Sequence, residues 1–377
     1  MRVYADYGAT TPVDPRVLDA MRPYFSEEFG NAGSVHAWGQ RAREAVDVAR
    51  EQVARVIGAS PSEVVFTSGA TESDNFAVWG AALANEDRGR HLVVSAVEHH
   101  AVLEPCRFLE SRGYEVTYVP VDRRGRVDPP AVGDALRTDT VLVSVMHANN
   151  EIGTMQPVAE IGRLVRARGI LMHADAAQTA GIVPVDVDAL SVDLLSLSAH
   201  KRYGPKGVGA LYVRTGARVS RVQHGGAHER NRRAGTENVP GIVGFGAALG
   251  LASTLMTAEA ARLRNWRDHL RAAIEEIPGA HVHGDPEDAL PGTVSVSFEG
   301  TDSESLLMAL DFRGIAASSG SACTSGSLEP SHVLRAISVA PALARGTVRL
   351  SLGRGTTDNE VVYLIAALTE VVRQIRQ

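Results

Sequence analysis

Only two lysines occur in the chain, Lys201 and Lys206, and the other thirty-six of its thirty-eight Lys and Arg residues are arginines. On a surface both side chains are solvated cations, but only lysine can lose its proton and attack a carbonyl group. This usage favours a reactive role for one of the two lysines, with codon bias as the alternative. Lys201 is the better candidate, because it follows a predicted strand at 193–197, whereas Lys206 lies in a Gly-Pro-Lys-Gly turn, where a lysine is often merely solvated.

A second candidate site is a run of small and hydroxyl-bearing residues, Thr67-Ser68-Gly69-Ala70-Thr71-Glu72-Ser73. It follows a predicted strand at 63–67 and precedes a helix that is predicted to open at about Asp74. The N-terminus of a helix binds anions through its free N–H groups, so this run can bind a phosphate group. A hydroxyl-rich helix cap without a ligand is the alternative. The sequence has neither the P-loop pattern nor a strand-linked Gly-x-Gly-x-x-Gly pattern, which argues against those two nucleotide sites.

Two further polar residues follow predicted strands. Asp175 ends the buried strand at 170–174, and a carboxylate at that depth needs a cationic partner, either a protonated pyridine nitrogen or a nearby arginine. His99, in Glu98-His99-His100, lies just past the strand at 92–95. A histidine there can stack on a ring or transfer protons, and a surface or helix-capping histidine is the alternative.

The two cysteines, Cys106 and Cys323, are too few for a disulfide framework or a four-thiolate metal site, and no metal is predicted. Cys106 is spaced with apolar residues on a predicted helix at 101–111, which indicates core packing. Cys323 lies instead in Ser318-Ser319-Gly320-Ser321-Ala322-Cys323-Thr324-Ser325-Gly326-Ser327, among small and polar residues. Because structural cysteines are usually buried, this position suggests a reactive thiol.

These candidates lie within an alternation of strand and helix patterns. Apolar residues from Ala42 to Ile57 recur at helical spacing and stop before Gly58. Strands are then predicted at 63–67, 92–95, 116–119, 140–146, 170–174, 193–197 and 209–213, with helices such as 101–111 and 158–168 in the gaps. The alternation predicts an α/β fold with a mainly parallel sheet flanked by helices, in which ligands bind beyond the carboxyl ends of the strands.

The pattern changes near residue 255, and 377 residues are more than one ordinary core requires. A charge-rich helix is predicted at 258–277, followed by strands at 293–298, 315–318 and 347–351 and helices at 303–312 and from 358 onward. We therefore predict a large domain at 14–255 and a smaller α+β domain formed by 1–13 and 256–377.

Composition excludes several classes of function. The net charge of −6 argues against nonspecific nucleic-acid binding. No apolar run approaches the roughly 20 residues that span a bilayer, and the N-terminus lacks the apolar core of a signal sequence. We therefore expect a cytoplasmic protein without a nucleic-acid or membrane partner.

Seven motifs follow one another along nearly the whole chain: Asp6-Tyr7-Gly8-Ala9-Thr10-Thr11-Pro12, Thr67-Ser68-Gly69-Ala70-Thr71-Glu72-Ser73, His147-Ala148-Asn149-Asn150-Glu151-Ile152-Gly153, Ser198-Ala199-His200-Lys201, Arg233-Ala234-Gly235-Thr236-Glu237-Asn238, the Cys323 segment and Arg349-Leu350-Ser351-Leu352-Gly353-Arg354. Each motif is weak alone, but seven in order are highly specific. Together they resemble the fold-type I pyridoxal-phosphate enzymes of the class V aminotransferase family, and within it the NifS/IscS-type cysteine desulfurases.

The resemblance implies the residues that would bind the cofactor, pyridoxal 5′-phosphate. Lys201 would hold it covalently, Asp175 would pair with its pyridine N–H, and Gln178 would bond its phenolic oxygen. His99 would stack on the ring and help to move protons. The residues implied for the phosphate group are Ala70, Thr71, Ser198 and His200, with Thr236 contributed by a partner subunit.

The resemblance also implies the substrate and the reaction. Asn150, which would also contact the cofactor, and Arg349 would bind the carboxylate of L-cysteine, Arg349 as a bidentate fork. Cysteine would become L-alanine, and its sulfur would remain on Cys323 as a persulfide. The chain would be a homodimer that passes sulfur to an iron–sulfur scaffold or another sulfur-acceptor protein, for cluster assembly or other thio-cofactors.

Some features leave the physiological role open. Gly8 and Ala199 depart from the family's usual residues, although both are small. The chain ends at Gln377, soon after its last predicted helix, so we do not expect the longer scaffold-binding tail of IscS-type members, and the motif at 233–238 is closer to the NifS type. A class V aminotransferase or a selenocysteine lyase is the alternative enzyme, and a sulfur-carrier or assembly subunit is the non-enzyme alternative.

Overall fold

Alternating strands and helices build most of the chain in the computed structural model, which describes residues 1–319 and 331–377. The strands are β1 (Val3–Tyr4), β2 (Val64–Thr67), β3 (His91–Ser95), β4 (Glu115–Val119), β5 (Thr140–Ser144), β6 (Leu171–Asp175), β7 (Leu194–Ser198), β8 (Gly209–Val213), β9 (Ala280–His283), β10 (Thr293–Phe298), β11 (Ile315–Ala316) and β12 (Thr347–Ser351). The helices are α1 (Pro15–Met21), α2 (Pro23–Ser26), α3 (Ala37–Val56), α4 (Ala70–Ala84), α5 (His100–Glu110), α6 (Pro129–Ala135), α7 (Val158–Arg166), α8 (Val239–Glu275), α9 (Ser303–Asp311), α10 (His332–Ala336), α11 (Pro341–Ala344) and α12 (Asp358–Ile375).

A seven-stranded sheet positions the candidate residues. Its order is β2-β8-β7-β6-β5-β3-β4, and the pairs among β3 to β7 are parallel. Strand β8 is antiparallel to both of its neighbours, β2 and β7. It is antiparallel to β7 because the segment at 199–208 returns directly from that strand without a crossover helix. All seven strands occur where the sequence predicts them, and the α/β fold with a mainly parallel sheet is confirmed.

A second core surrounds a three-stranded antiparallel sheet with the order β12-β10-β9. Its buried residues include Val296, Leu350 and Leu364, and Val3 and Ala5 join them from the N-terminus. The N-terminus reaches this core because β1 pairs in parallel with β11. The first residues of the chain therefore pack in the second core, whereas α1, which follows them in the sequence, packs against α8.

Helix α8 joins the two cores and corrects the sequence analysis, which begins this helix at 258. It starts at Val239, and Phe245 and Leu249 pack in the core of the large sheet, whereas Leu270 packs in the second core. The predicted domain boundary at 255 and 256 lies within this continuous helix. By length and composition alone α8 is apolar enough to cross a membrane, but half of its apolar stretch is buried inside the protein. It is therefore built as a core helix.

Close packing of α8 against α3 depends on Gly246. A Cβ atom at this position would lie 2.7 Å from Cα of Ala49 and 2.5 Å from Oε1 of Gln52, closer than real contacts allow. A Cβ atom added to Gly250, one turn later on α8, would have no atom within 4 Å.

We predict that Gly246→Ala destabilises the protein by about 1–3 kcal/mol, because the helices must separate. Gly250→Ala should stabilise it by about 0.5–1 kcal/mol through helix propensity.

Urea denaturation of both variants tests this pair. Opposite shifts of the transition midpoint are expected, and equal shifts would contradict the close approach at Gly246.

Candidate active site

A cavity of about 530 Å³ lies beyond the carboxyl ends of the parallel strands. Strands β6 and β7 end at its wall with Asp175 and Ser198, and the backbone at 8–10 crosses it from the N-terminal segment. Such an edge is the usual ligand site of parallel sheets. The residues predicted from the sequence that line this one cavity are Ala70, Thr71, His99, Asn150, Asp175, Gln178, Ser198, His200, Lys201 and Arg349.

The amine of Lys201 is held by backbone carbonyl groups. Its Nζ donates to the carbonyl oxygens of Gly8 and Ala9, at 2.7 Å and 2.8 Å. Gln178 also donates to the Gly8 oxygen, at 3.1 Å. The sequence analysis did not assign Gly8 and Ala9 to the site, because they contribute only through their backbone. The other lysine, Lys206, is exposed and lies at the rim of the same cavity.

The N-terminus of α4 forms an anion site at one end of the cavity. The helix begins at Ala70, four residues before the predicted start at Asp74, so the N–H groups of its first turn face the cavity. Gly69 precedes it with φ 155°, a conformation that favours glycine. Across the cavity, the buried Ser198 hydroxyl has no hydrogen-bond partner within 1–319 and 331–377. A phosphate group would satisfy both the free N–H groups and this hydroxyl, so the residues fit the implied cofactor here.

Asp175 is the buried carboxylate of the cavity. Its Oδ1 accepts the N–H of Ala177 at 2.8 Å. Burial raises the pKa of Asp175 to about 6, against the effects of the Ala177 N–H and the charge of Lys201. Among the described residues, no arginine pairs with Asp175, so a pyridine N–H is the cationic partner that fits.

Two more buried acids lie near Asp175, Asp74 within the cavity lining and Glu98 outside it, and the sequence analysis missed both. Asp74, on the sheet-facing side of α4, has its Oδ1 3.5 Å from Nε2 of His173. Burial, and then the charge of Asp175, raise the pKa of Asp74 well above its usual value. Burial also raises the pKa of Glu98 to about 8, although Oε1 accepts the Ser95 hydroxyl at 2.6 Å. A charged residue on an otherwise apolar helix face is the signal that could have identified Asp74.

Two histidines of the cavity are neutral at pH 7. Burial, and then the charge of Lys201, lower the pKa of His99 to about 4. Burial likewise lowers the pKa of His200 to about 4. Nδ1 of His99 accepts the N–H of Ala101 at 3.1 Å, which caps α5 and fixes the ring. A fixed neutral imidazole can both stack on a cofactor ring and transfer a proton.

The guanidinium of Arg349, predicted to bind the substrate carboxylate through two nitrogens, already donates both to protein oxygens. Its Nη1 donates to the backbone oxygen of Asn150 and its Nη2 to Oδ1 of Asp6, each at 2.8 Å. Asp6 was not a predicted site residue. A substrate carboxylate that binds both nitrogens must therefore displace or share the contact with Asp6.

One predicted residue among those the structure describes does not join the cavity within this chain. Thr236 is exposed and does not line it. Cys323 lies in 320–330, outside the described residues. Cys106, by contrast, is fully buried in α5 against the sheet, as its helical spacing predicts.

Comparisons with known proteins agree with this geometry. The chain matches the Aminotransferase class-V family over residues 3–364. It is 50% identical over 375 residues to the cysteine desulfurase IscS of Dictyoglomus turgidum, and this alignment covers 99% of this chain and 95% of that protein. It is 54% identical over 379 residues to the cysteine desulfurase IscS of Anaeromyxobacter dehalogenans, and this alignment covers 100% of this chain and 93% of that protein. A solved structure described as a NifS-like protein superposes with a TM-score of 0.94 at 41% identity, over 99% of this chain and 100% of the other.

The raised pKa of Glu98 makes a prediction about pH and stability. Because the pKa rises from 4.5 to about 8 on folding, the folded state binds more protons between these values. The stabilising contribution of Glu98 is full below about pH 4.5 and is lost as the pH rises through about 8. Glu98→Gln should remove this loss, so its melting temperature relative to wild type should increase between pH 5 and 8.

Thermal denaturation at several pH values measures the effect. Glu51→Gln, at an exposed glutamate, controls for the loss of a charge. A constant difference between Glu98→Gln and wild type across this range would contradict the prediction.

Proposed function

Because the chain belongs to the Aminotransferase class-V family and is a pyridoxal-phosphate-dependent cysteine desulfurase that acts on L-cysteine, we propose that the cavity at Lys201 is its active site. One observation carries the proposal. An amine, a buried carboxylate and a helix N-terminus line a single cavity, as a covalent anchor, a pyridine partner and a phosphate site require. The sequence-based alternatives of a different family enzyme or a sulfur-carrier subunit have no comparable support.

The residues of the cavity have distinct roles toward the cofactor. Lys201 would hold the cofactor covalently, Asp175 would pair with its pyridine N–H, and Gln178 would bond its phenolic oxygen. When bound, pyridoxal phosphate supplies an electron sink for the Cα atom of the substrate. The residues that would bind the phosphate group are Ala70, Thr71, Ser198 and His200, with Thr236 of the partner subunit.

The side chains then act on cysteine in sequence. Asn150 and Arg349 hold its carboxylate, and the Lys201 amine removes the Cα proton. The Gly8 and Ala9 carbonyl groups stabilise the resulting ammonium group. The Cys323 thiolate attacks the substrate sulfur. An S–S bond forms, the C–S bond breaks, and its electron pair stays with the carbon skeleton, which takes up protons and leaves as alanine.

The persulfide on Cys323 then donates its outer sulfur to a thiol of an iron–sulfur scaffold or another acceptor protein. We propose a cytoplasmic location, because both thiols must remain reduced until they react, and the cytosol keeps them so.

A homodimer is supported by an exposed apolar surface beside Thr236. The apolar patch, defined as Leu18, Phe25, Phe29, Val35 and Trp38, consists of residues that are 47–90% exposed. Such a patch on a soluble protein marks an interface. Arg43 links the patch to the Thr236 segment, because it donates to the Ala32 oxygen at 3.1 Å and to Glu237 at 3.2 Å. A partner subunit on this surface would receive Thr236 near its own cavity.

The roles of Cys323 and Lys201 are tested separately. Cys323→Ala should abolish sulfide release from cysteine but retain the visible absorbance of the bound cofactor. Lys201→Ala should lower sulfide release at least about a hundredfold and leave no cofactor fixed by borohydride. Cys106→Ala, at the buried cysteine, should retain both properties. Undiminished turnover of Cys323→Ala would contradict its role as the sulfur acceptor.

The dimer and Thr236 are tested with mixed subunits. Thr236→Ala should weaken cofactor binding by about 10- to 100-fold, because a hydrogen bond to a charged group is lost. A heterodimer of one Thr236→Ala chain and one Lys201→Ala chain has one complete site if Thr236 acts across the interface, and none if it acts within its own chain. We expect about half of the wild-type cofactor load in this heterodimer, since one of two sites is intact. A load near zero, or a monomer in sedimentation, would contradict the proposal.

A further inference from the structure

Tyr203, two residues after Lys201, has an unusual backbone conformation. Its φ is 59°, in the left-handed region that bulky side chains rarely adopt. Such a conformation persists only where the surrounding structure holds it, and it is often found at functional sites. The sequence analysis gave Tyr203 no role.

Several hydrogen bonds hold Tyr203 in this conformation. Its N–H donates to the Thr11 hydroxyl at 2.8 Å, and its carbonyl oxygen accepts the N–H of Asp14 at 2.9 Å. Its phenolic oxygen accepts the backbone N–H of Arg354 at 2.5 Å. The Arg354 guanidinium also lies over the tyrosine ring, 4.1 Å from its centroid. The turn that follows Lys201 is therefore fixed at its backbone, its ring and its hydroxyl group.

Arg354 is itself anchored from two directions. Its Nη1 donates to Asp14 at 2.8 Å, and its Nε donates to Glu259 on α8. Arg354 also follows β12, the strand that carries Arg349, by only a few residues. The contact between Arg354 and Tyr203 thus joins the segment with the substrate-binding arginine to the turn with the reactive lysine. Burial raises the pKa of Tyr203 to about 12, so the hydroxyl stays protonated at neutral pH.

We propose that Tyr203 is a positioning residue for Lys201, and that its contact with Arg354 fixes the lysine relative to Arg349. This inference rests on the proposed function, in which Lys201 binds the cofactor and removes the Cα proton. The strained turn sets the direction in which the lysine side chain leaves the backbone. The Arg354 contact keeps that direction matched to the position of the substrate carboxylate.

Tyr203→Phe removes only the phenolic oxygen and leaves the Arg354 N–H without its acceptor. We expect kcat to fall about tenfold with a smaller change in KM, because a partly buried donor without an acceptor lets the turn shift. The pH midpoint of the cofactor's visible absorbance, which reports the surroundings of the lysine nitrogen, should shift as well. Tyr114→Phe is the matched control, because Tyr114 donates to the Ala82 oxygen at 3.3 Å away from the cavity. It should change the melting temperature only.

Arg354→Met tests the coupling. It removes the guanidinium over the tyrosine ring but keeps the backbone N–H that donates to the phenolic oxygen. Alone it should lower kcat as Tyr203→Phe does, and the loss in the double variant should be smaller than the sum of the two single losses, because both substitutions release the same turn. If Tyr203→Phe lowers the melting temperature but keeps kcat and the absorbance midpoint, as Tyr114→Phe does, the inference is overturned. Additive losses in the double variant would overturn the coupling.

Lys201→Ala separates this result from the proposed function. Cofactor that borohydride still fixes in Lys201→Ala would defeat the proposed function itself. Loss of fixation in Lys201→Ala together with a silent Tyr203→Phe would defeat only the inference about Tyr203.

Discussion

In the proposed function the carboxylate of Asp175 carries a negative charge in a buried position, and the rest of the site depends on how that charge is maintained. Burial raises its pKa to about 6 and so favours the neutral form. The Ala177 N–H and the positive charge of Lys201 act in the opposite direction. Glu98 and Asp74 are buried more completely, and burial raises the pKa of each, which favours their uncharged forms. The site thereby avoids further negative charges that would repel the one on Asp175.

The N-terminal segment connects Lys201, whose charge acts on Asp175, to Arg349 at the other end of the cavity. It enters from the second core through β1, and its Gly8 and Ala9 carbonyl groups then contact Lys201. Two residues earlier, Asp6 pairs with Arg349 on β12. The lysine and the arginine are therefore held by one short stretch of backbone. A change in the packing of β1 against β11 would be transmitted to both ends of the cavity, although neither strand lines it.

The predictable part of the site follows from strand ends. Asp175, Ser198 and Lys201 each lie at or after an apolar run, and parallel strands bring their carboxyl ends to one edge. The start of α4 is less predictable, because Ala70 and Thr71 have no helical pattern of their own and the cap depends on the conformation of Gly69. The pair of Asp6 and Arg349 joins residues 343 positions apart, and no local pattern encodes such a contact. The first half of α8 is glycine-rich, which obscures a helix whose stability comes from packing against α3 rather than from propensity.

The scarcity of lysine can now be related to the contacts of Lys201. The neighbouring Arg202 is buried and donates to three backbone carbonyl oxygens, those of Gln178, Ala180 and Lys201. A guanidinium is therefore tolerated at this depth, and its five N–H groups are better suited than an amine to bonding several carbonyl oxygens. Burial lowers the pKa of Arg202 to about 9, yet that group remains charged at neutral pH and cannot act as a nucleophile. Hydrogen bonding to Gly8 and Ala9 does not explain the choice of lysine at 201, whereas the loss of a proton that the proposed function requires of this residue does.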